Sequence, residues 1–414
     1  MIRMSRLDRQ LRIEGWNQTA LDNAKIGVVG DDDHLASLFV LSASALGINN
    51  LVVVAPDLNR RLIEIAKKVN PLFVLTHMEG LYTHPVMDDL FGGCDLLVDL
   101  SHYGLANKLL LDKGFRERIP VVRGFCYGHD DIEGFKAFTY IRGREWREIE
   151  QIVSPNGLPE RHFDDPVLDT IVAGIVLEEV KNLLMRQDVS DALISYGRRS
   201  LGRYDRQSRI LVVGAGALGT FAGLGLAYSG FKHCTFMDPD IVELTNLNRQ
   251  ILLYDALGQS KAETLASRLN DFFQMNSRAR VEYFRRDTDL SSYDIVFDCV
   301  DNFETRIVLS EKCRDQGKIL VSGGTSADAG QVIVYNPAKG EATPAELLGL
   351  YDIVSTRAVE IPLRQRASCT YQPDPSVIMT NQITAGFMVD SCRKLLAGQE
   401  VKNIFYDSNS SERI

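Results

Sequence analysis

Gly214-Ala215-Gly216-Ala217-Leu218-Gly219 follows a short apolar run and opens a helical pattern. Glycines so spaced let a backbone turn tightly and approach a phosphate, which then rests on the helix N-terminus. Asp238 ends the next apolar run, where a carboxylate can accept hydrogen bonds from ribose hydroxyls. Asn246-Leu247-Asn248-Arg249-Gln250 comes next, then Gly258-Gln259-Ser260-Lys261. Arg249 and Lys261 are cations suited to a triphosphate, whereas a nicotinamide cofactor's pyrophosphate needs few. A further apolar run ends Asp298-Cys299-Val300-Asp301-Asn302, and Asp301, at a strand's C-terminal end beside the phosphates, is placed to hold Mg²⁺. Singly, each residue also reads as a surface salt bridge, and the glycine turn alone would serve a nicotinamide oxidoreductase. The set points to ATP.

The elements that must position these residues occur twice. Lys25-Ile26-Gly27-Val28-Val29-Gly30 matches Arg209-Ile210-Leu211-Val212-Val213-Gly214, and the run ending at Asp99 matches the run ending at Asp298. Ile119 to Gly124 followed by Gly134 to Tyr140 matches Lys318 to Gly323 followed by Gly330 to Tyr335. Asp165-Pro166 with a helix through Ala173-Gly174 matches Asp374-Pro375 with a helix through Ala385-Gly386. Val- and Ile-rich runs alternating with helical patterns predict βαβ units. The expected fold is α/β: two tandem Rossmann-like, doubly wound parallel or mixed sheets forming a pseudo-dimer. The expected domains are 1–190 and 198–414, with the polar stretch 186–202 as boundary and a crossing loop over about 340–368.

Aligning Gly30 with Gly214 puts Asp31-Asp32-Asp33 where the phosphate-binding glycines would lie, Ala55 in place of Asp238 and His102 in place of Asp301. Carboxylates facing a polyanion repel it. The first repeat therefore reads as a scaffold with ribose, metal and phosphate ligands lost together.

Composition bounds the partners. A net charge of −9 argues against nucleic acid as the main partner. The chain shows no apolar run of membrane-spanning length and no signal-peptide pattern, so a cytoplasmic location is expected. Its 7 cysteines are odd in number and form no CxxC pair, which leaves a chemical role open for one of them. Cys369, in Ser368-Cys369-Thr370-Tyr371-Gln372-Pro373-Asp374-Pro375, precedes a helical pattern that Asp374 could cap, and Arg364 and Arg366 lie close in sequence. Such a setting lowers a thiol pKa. The other cysteines read as buried and structural.

Taken together, GxGxxG, D…NLxRQ, GxxK and DxxDN at these spacings resemble the ubiquitin-activating, ThiF and MoeB superfamily, densely in the second repeat and through sheet landmarks in the first. The resemblance implies that Gly214, Gly216, Ala217, Gly219, Asp238, Asn248, Arg249, Gln250, Lys261 and Asp301 bind ATP, and that Asp301 carries Mg²⁺. It also implies that Arg9, in Asp8-Arg9-Gln10, reaches the second repeat's nucleotide as a catalytic cation beside Arg249 and Lys261. The segment around Cys369 is similar to the catalytic loop of non-canonical, autophagy-type activating enzymes. The implied activity is adenylation of the C-terminal carboxylate of a ubiquitin-like protein with a glycine-rich tail, then thioester formation on Cys369 and transfer to a conjugating enzyme. The alternative keeps adenylation and passes the acyl-adenylate to a sulfur donor, an amine or a tRNA base.

Overall fold

A computed structural model describes residues 5–31, 33–144, 163–360, 375–410 and 412–414. Two seven-stranded mixed sheets carry the chain. The first contains β1 (Lys25–Gly30), β2 (Asn50–Ala55), β3 (Val74–Glu79), β4 (Leu96–Leu100), β5 (Val121–His129), β6 (Ile132–Tyr140) and β7 (Ile194–Arg199). The second contains β8 (Ile210–Val213), β9 (Cys234–Met237), β10 (Arg278–Arg280), β11 (Ile295–Asp298), β12 (Ile319–Thr325), β13 (Ala329–Tyr335) and β14 (Ile404–Asp407). Their orders, β3-β2-β1-β4-β5-β6-β7 and β10-β9-β8-β11-β12-β13-β14, are the same topology. In each, five parallel strands are followed by two antiparallel ones. The central strands are buried along their length, as expected where helices cover both faces of a parallel sheet.

Helices Asp33–Leu46 and Pro166–Met185 of the first repeat pack on Ala217–Tyr228 and Ile378–Leu396 of the second, and a single apolar core runs through both. The contact is reciprocal. A Cβ on Gly174 would strike Ile383, and one on Gly386 would strike Ile171. The matched glycines thus let the two long helices approach closely, each receiving an isoleucine from its counterpart. Ser42 donates to Gln382 at 2.7 Å, and Gln382 donates to the Thr170 carbonyl at 2.9 Å, so polar groups inside this interface are satisfied. The buried carboxylate of Asp390 takes hydrogen bonds from Tyr196, Arg198 and Arg393 at 2.7 to 2.9 Å, tying β7 to the last long helix.

Three sequence expectations need correction. The stretch 186–202 is not simply a linker: β7 pairs antiparallel with β6, so the first repeat runs to Arg199 rather than to 190. A strand with only two buried residues in six carries too weak an apolar signal to be read from the sequence. The region from 340 is also not plain loop. Pro344–Leu347 is a helix with a Thr343/Glu346 capping box, and Leu350–Glu360 is a second helix. Finally, the long helix after Pro375 begins at Ile378 with Val377 at its N-cap, so the cap expected of Asp374 is not the one this helix has. Asp165 and Pro166 do cap and open the matching helix of the first repeat, with Val167 and Leu168 N–H groups donating to Asp165.

Candidate active site

The glycine loop is built as its sequence requires. Gly214 has φ +97°, and a Cβ there would meet the Cys299 carbonyl; a Cβ on Gly219 would collide with the carbonyl oxygen of Gly214. Both glycines are needed for backbone packing. Gly216 differs, since a Cβ there would meet only Gln250 Nε2, at 3.7 Å. Space therefore lies above it. Gly216 opens the helix Ala217–Tyr228 and no side chain caps that helix, so its first N–H groups remain for an anion.

Asp238 braces this loop. Its Oδ2 accepts from Ala215 N–H at 2.7 Å and its Oδ1 from Asp240 N–H at 2.9 Å. Burial raises its pKa, and the Lys261 charge works the other way. Lys261, the first residue of the helix Lys261–Phe273, donates to Asp240 at 2.9 Å. Gln250 is buried beside Gly216, and among the described residues its Oε1 has no hydrogen-bond partner.

Arg249 is buried, and Nη1 donates to the Thr245 carbonyl and to Asn248 Oδ1, each at 2.8 Å. Its guanidinium is held down to about 9, first by burial and then by the neighbouring Arg9 charge, with Asp301 opposing. Arg9 is likewise lowered, first by burial and then by Arg12, with Asp301, Asp8 and Glu243 opposing. Arg9 of the first repeat and Arg249 and Asp301 of the second thus lie within electrostatic reach of one another. Asp301 is exposed. Among the described residues no group of three or more His, Cys, Asp or Glu could hold a metal.

The first repeat's equivalent space is closed from within. β1 pairs Val29 with Asp99 and with Val54, where β8 pairs Val213 with Asp298 and with Met237. This register equates Asp31 with Ala215, Ala55 with Asp238 and His102 with Asp301. The Asp31 carboxylate accepts from His102 N–H at 2.6 Å and meets His102 Nδ1 at 2.9 Å. Only residues 56–59 separate β2 from the helix Arg60–Val69, against residues 238–260 between β9 and Lys261, so the arginine- and lysine-bearing segment has no counterpart. Asp32 lies outside the described residues.

Several residues acquire structural roles. Arg306 donates to the Val300 and Gly323 carbonyls and lies 3.2 Å from the buried Asp298; in the first repeat Arg123, from β5, neutralises the equivalent Asp99. Arg206 packs on Tyr204 and Gly230, holding the linker. The described cysteines, at 94, 126, 234, 299, 313 and 392, are all buried. Burial pushes Cys94 up to about 11 and Cys313 and Cys392 up to about 12. Cys369, Arg364, Arg366 and Asp374 lie outside the described residues.

Sequence reasoning passed over Gln10, Arg12 and Asp240. Gln10 sat in the quoted Asp8-Arg9-Gln10 motif, and Asp240 sits two residues after Asp238, but their partners are distant in sequence.

The chain belongs to the ThiF family, whose profile matches residues 198–412. Among curated relatives, the adenylyltransferase and sulfurtransferase MOCS3 of Drosophila sechellia is 39% identical over 140 residues, which are 33% of this chain and 31% of that protein. MOCS3 of Drosophila yakuba is 32% identical over 207 residues, 47% of this chain and 44% of its own. MOCS3 of Arabidopsis thaliana is 38% identical over 138 residues, 31% and 29% respectively. The matches thus span less than half of those relatives' length. Among solved structures, E. coli MccB with AMPCPP and MccA is 19% identical, with a TM-score of 0.40, over 50% of this chain and 62% of that one. No described helix is long and apolar enough to cross a membrane.

Proposed function

We propose that the protein adenylates the C-terminal carboxylate of a small protein and passes the acyl-adenylate to a sulfur donor. What carries the adenylation reading is the electrostatic proximity of Arg9, Arg249 and Asp301, together with the room at Gly216 where a helix starts without a side-chain cap. A carboxylate is ionised at neutral pH, so its oxygen attacks the α-phosphorus of ATP without a general base and pyrophosphate leaves. The chain's part is alignment and charge neutralisation. The Ala217 end of the helix and Arg249 face phosphate oxygens, Arg9 adds a second cation, and Lys261 exchanges Asp240 for phosphate. Asp238 keeps the loop in place for the ribose, and Gln250 Oε1 offers an acceptor beside Gly216. Bound Mg²⁺, held by Asp301, would neutralise the departing pyrophosphate.

The sulfur branch is supported by the MOCS3 relatives, which are named as both adenylyltransferase and sulfurtransferase. A sulfur nucleophile then displaces AMP at the acyl carbon. The test supplies ATP, a small protein with a free glycine-rich tail, a persulfide donor and a thiol reductant that cleaves the acyl disulfide left by persulfide attack, and follows pyrophosphate exchange and thiocarboxylate by mass spectrometry. Cys369→Ala should retain both. A thiol-labile adduct on the wild-type chain that disappears in Cys369→Ala would instead support the thioester route with a conjugating enzyme.

A further inference from the structure

Gln10 is fully buried, and the orientation of its amide follows from its surroundings. Nε2 lies 2.7 Å from the Leu46 carbonyl, an acceptor that cannot donate, so this end of the amide must carry the hydrogens. The same group reaches Gln18 Oε1 at 2.7 Å, which also accepts Trp16 Nε1–H at 3.0 Å. Gln10 Oε1 therefore points the other way, into the second repeat, where Asn248 Nδ2 donates to it at 2.9 Å. Asn248 is then fixed in turn, with Oδ1 presented to Arg249 Nη1 at 2.8 Å. The polarity of each link is set by the one before it, back to a carbonyl at the end of the helix Asp33–Leu46 in the first repeat.

This relay ends on a side chain that needs holding. Arg249 is buried beside Arg9, and both effects work against its charge. Two acceptors restrain it, the Thr245 carbonyl and Asn248 Oδ1, and only the second has an orientation that could reverse. If the Asn248 amide turned over, it would present N–H groups to a guanidinium. The Gln10 oxygen prevents that turn.

We propose that Gln10 is a positioning residue for the nucleotide site, aiming Arg249 through Asn248, and that this relay is a contribution of the worn repeat to its active twin. Gln10 touches no nucleotide itself. The inference rests on the adenylating reading of the site.

The test measures binding of magnesium and a non-hydrolysable ATP analogue to the full chain by calorimetry. Wild type, Gln10→Met, Arg249→Ala and the double variant are compared. Gln10→Met should weaken binding roughly ten- to a hundredfold, the range seen when a supporting partner of a ligating group is lost. In the Arg249→Ala background the same change should add less than about twofold, because the group it aims is gone. A purely structural role would give fewer competent sites at an unchanged Kd, and would overturn the relay. Equal losses in both backgrounds would overturn it too. If Gln10→Met does not fold, Asn248→Ala interrupts the same relay one link later and must show the same dependence on Arg249. A wild type that binds no nucleotide removes the site reading and the relay together; strong wild-type binding, lost in Arg249→Ala but kept in Gln10→Met, removes the relay alone.

Discussion

In the first repeat the carboxylate of Asp31 closes on His102 through two contacts, at 2.6 and 2.9 Å, at the positions that Ala215 and Asp301 hold around the open loop of the second. A phosphate entering there would have to displace this pair and face its negative charge. One nucleotide per chain is therefore expected. Calorimetric stoichiometry of one should persist in His102→Ala; a second site in either protein would contradict the asymmetry.

The loop glycines separate into two kinds by what surrounds them. Gly216→Ala has room, so the variant should fold with a melting temperature near wild type yet bind ATP at least tenfold more weakly, because a methyl would stand where the phosphate approaches. Gly219→Ala would press against the Gly214 carbonyl and should lose about 3 kcal/mol or more of stability. Thermal and urea unfolding of the pair, beside nucleotide affinity, checks both statements. Reversed behaviour would misplace the phosphate.

Arg9 shares its electrostatic surroundings with Arg249 and Asp301 although it belongs to the other repeat. Arg9→Ala should slow pyrophosphate exchange about 10³-fold, as loss of a phosphate-facing arginine does in phosphoryl transfer. The fold should be unaffected. An unchanged exchange rate would remove Arg9 from the chemistry.

His34 packs edge-on against Tyr228 across the two repeats, at 4.3 Å between ring centroids. Burial lowers its pKa to about 4, against the opposing influence of Asp165, the Pro166 backbone and Asp164. The folded chain thus resists protonating a side chain that the unfolded chain protonates near pH 6.5. The contribution is intact above pH 6.5 and is lost as the pH falls from there to about 4, by up to roughly 3 kcal/mol. Urea midpoints measured at pH 7.5 and 4.5 should converge in His34→Phe relative to wild type; an identical acid loss in both would assign it to other groups.

Much of this architecture was legible in the chain before folding. Paired strands ending at Gly30 and Gly214, and at Asp99 and Asp298, announced the duplication, because a parallel strand buried on both faces must be a short continuous apolar run. That Asp31, Ala55 and His102 replace the glycine-loop, ribose-side and metal-side residue types of the second repeat was equally plain. β7 was not legible, since a half-exposed edge strand leaves little hydrophobic trace, and neither were the helices Pro344–Leu347 and Leu350–Glu360.

The sequence by itself determined which repeat carries the residue types suited to a triphosphate, because backbone room at Gly216 and the charges of Arg249, Lys261 and Asp301 are properties of residue type. Only the tertiary structure decided how that site is held. Gln10 and Asn248 are 238 positions apart, and nothing local in either peptide foretells their hydrogen bond. It exists because the matched helices bring Gly174 to Ile383 and Gly386 to Ile171, and so carry the N-terminal segment of one repeat to the phosphate side of the other.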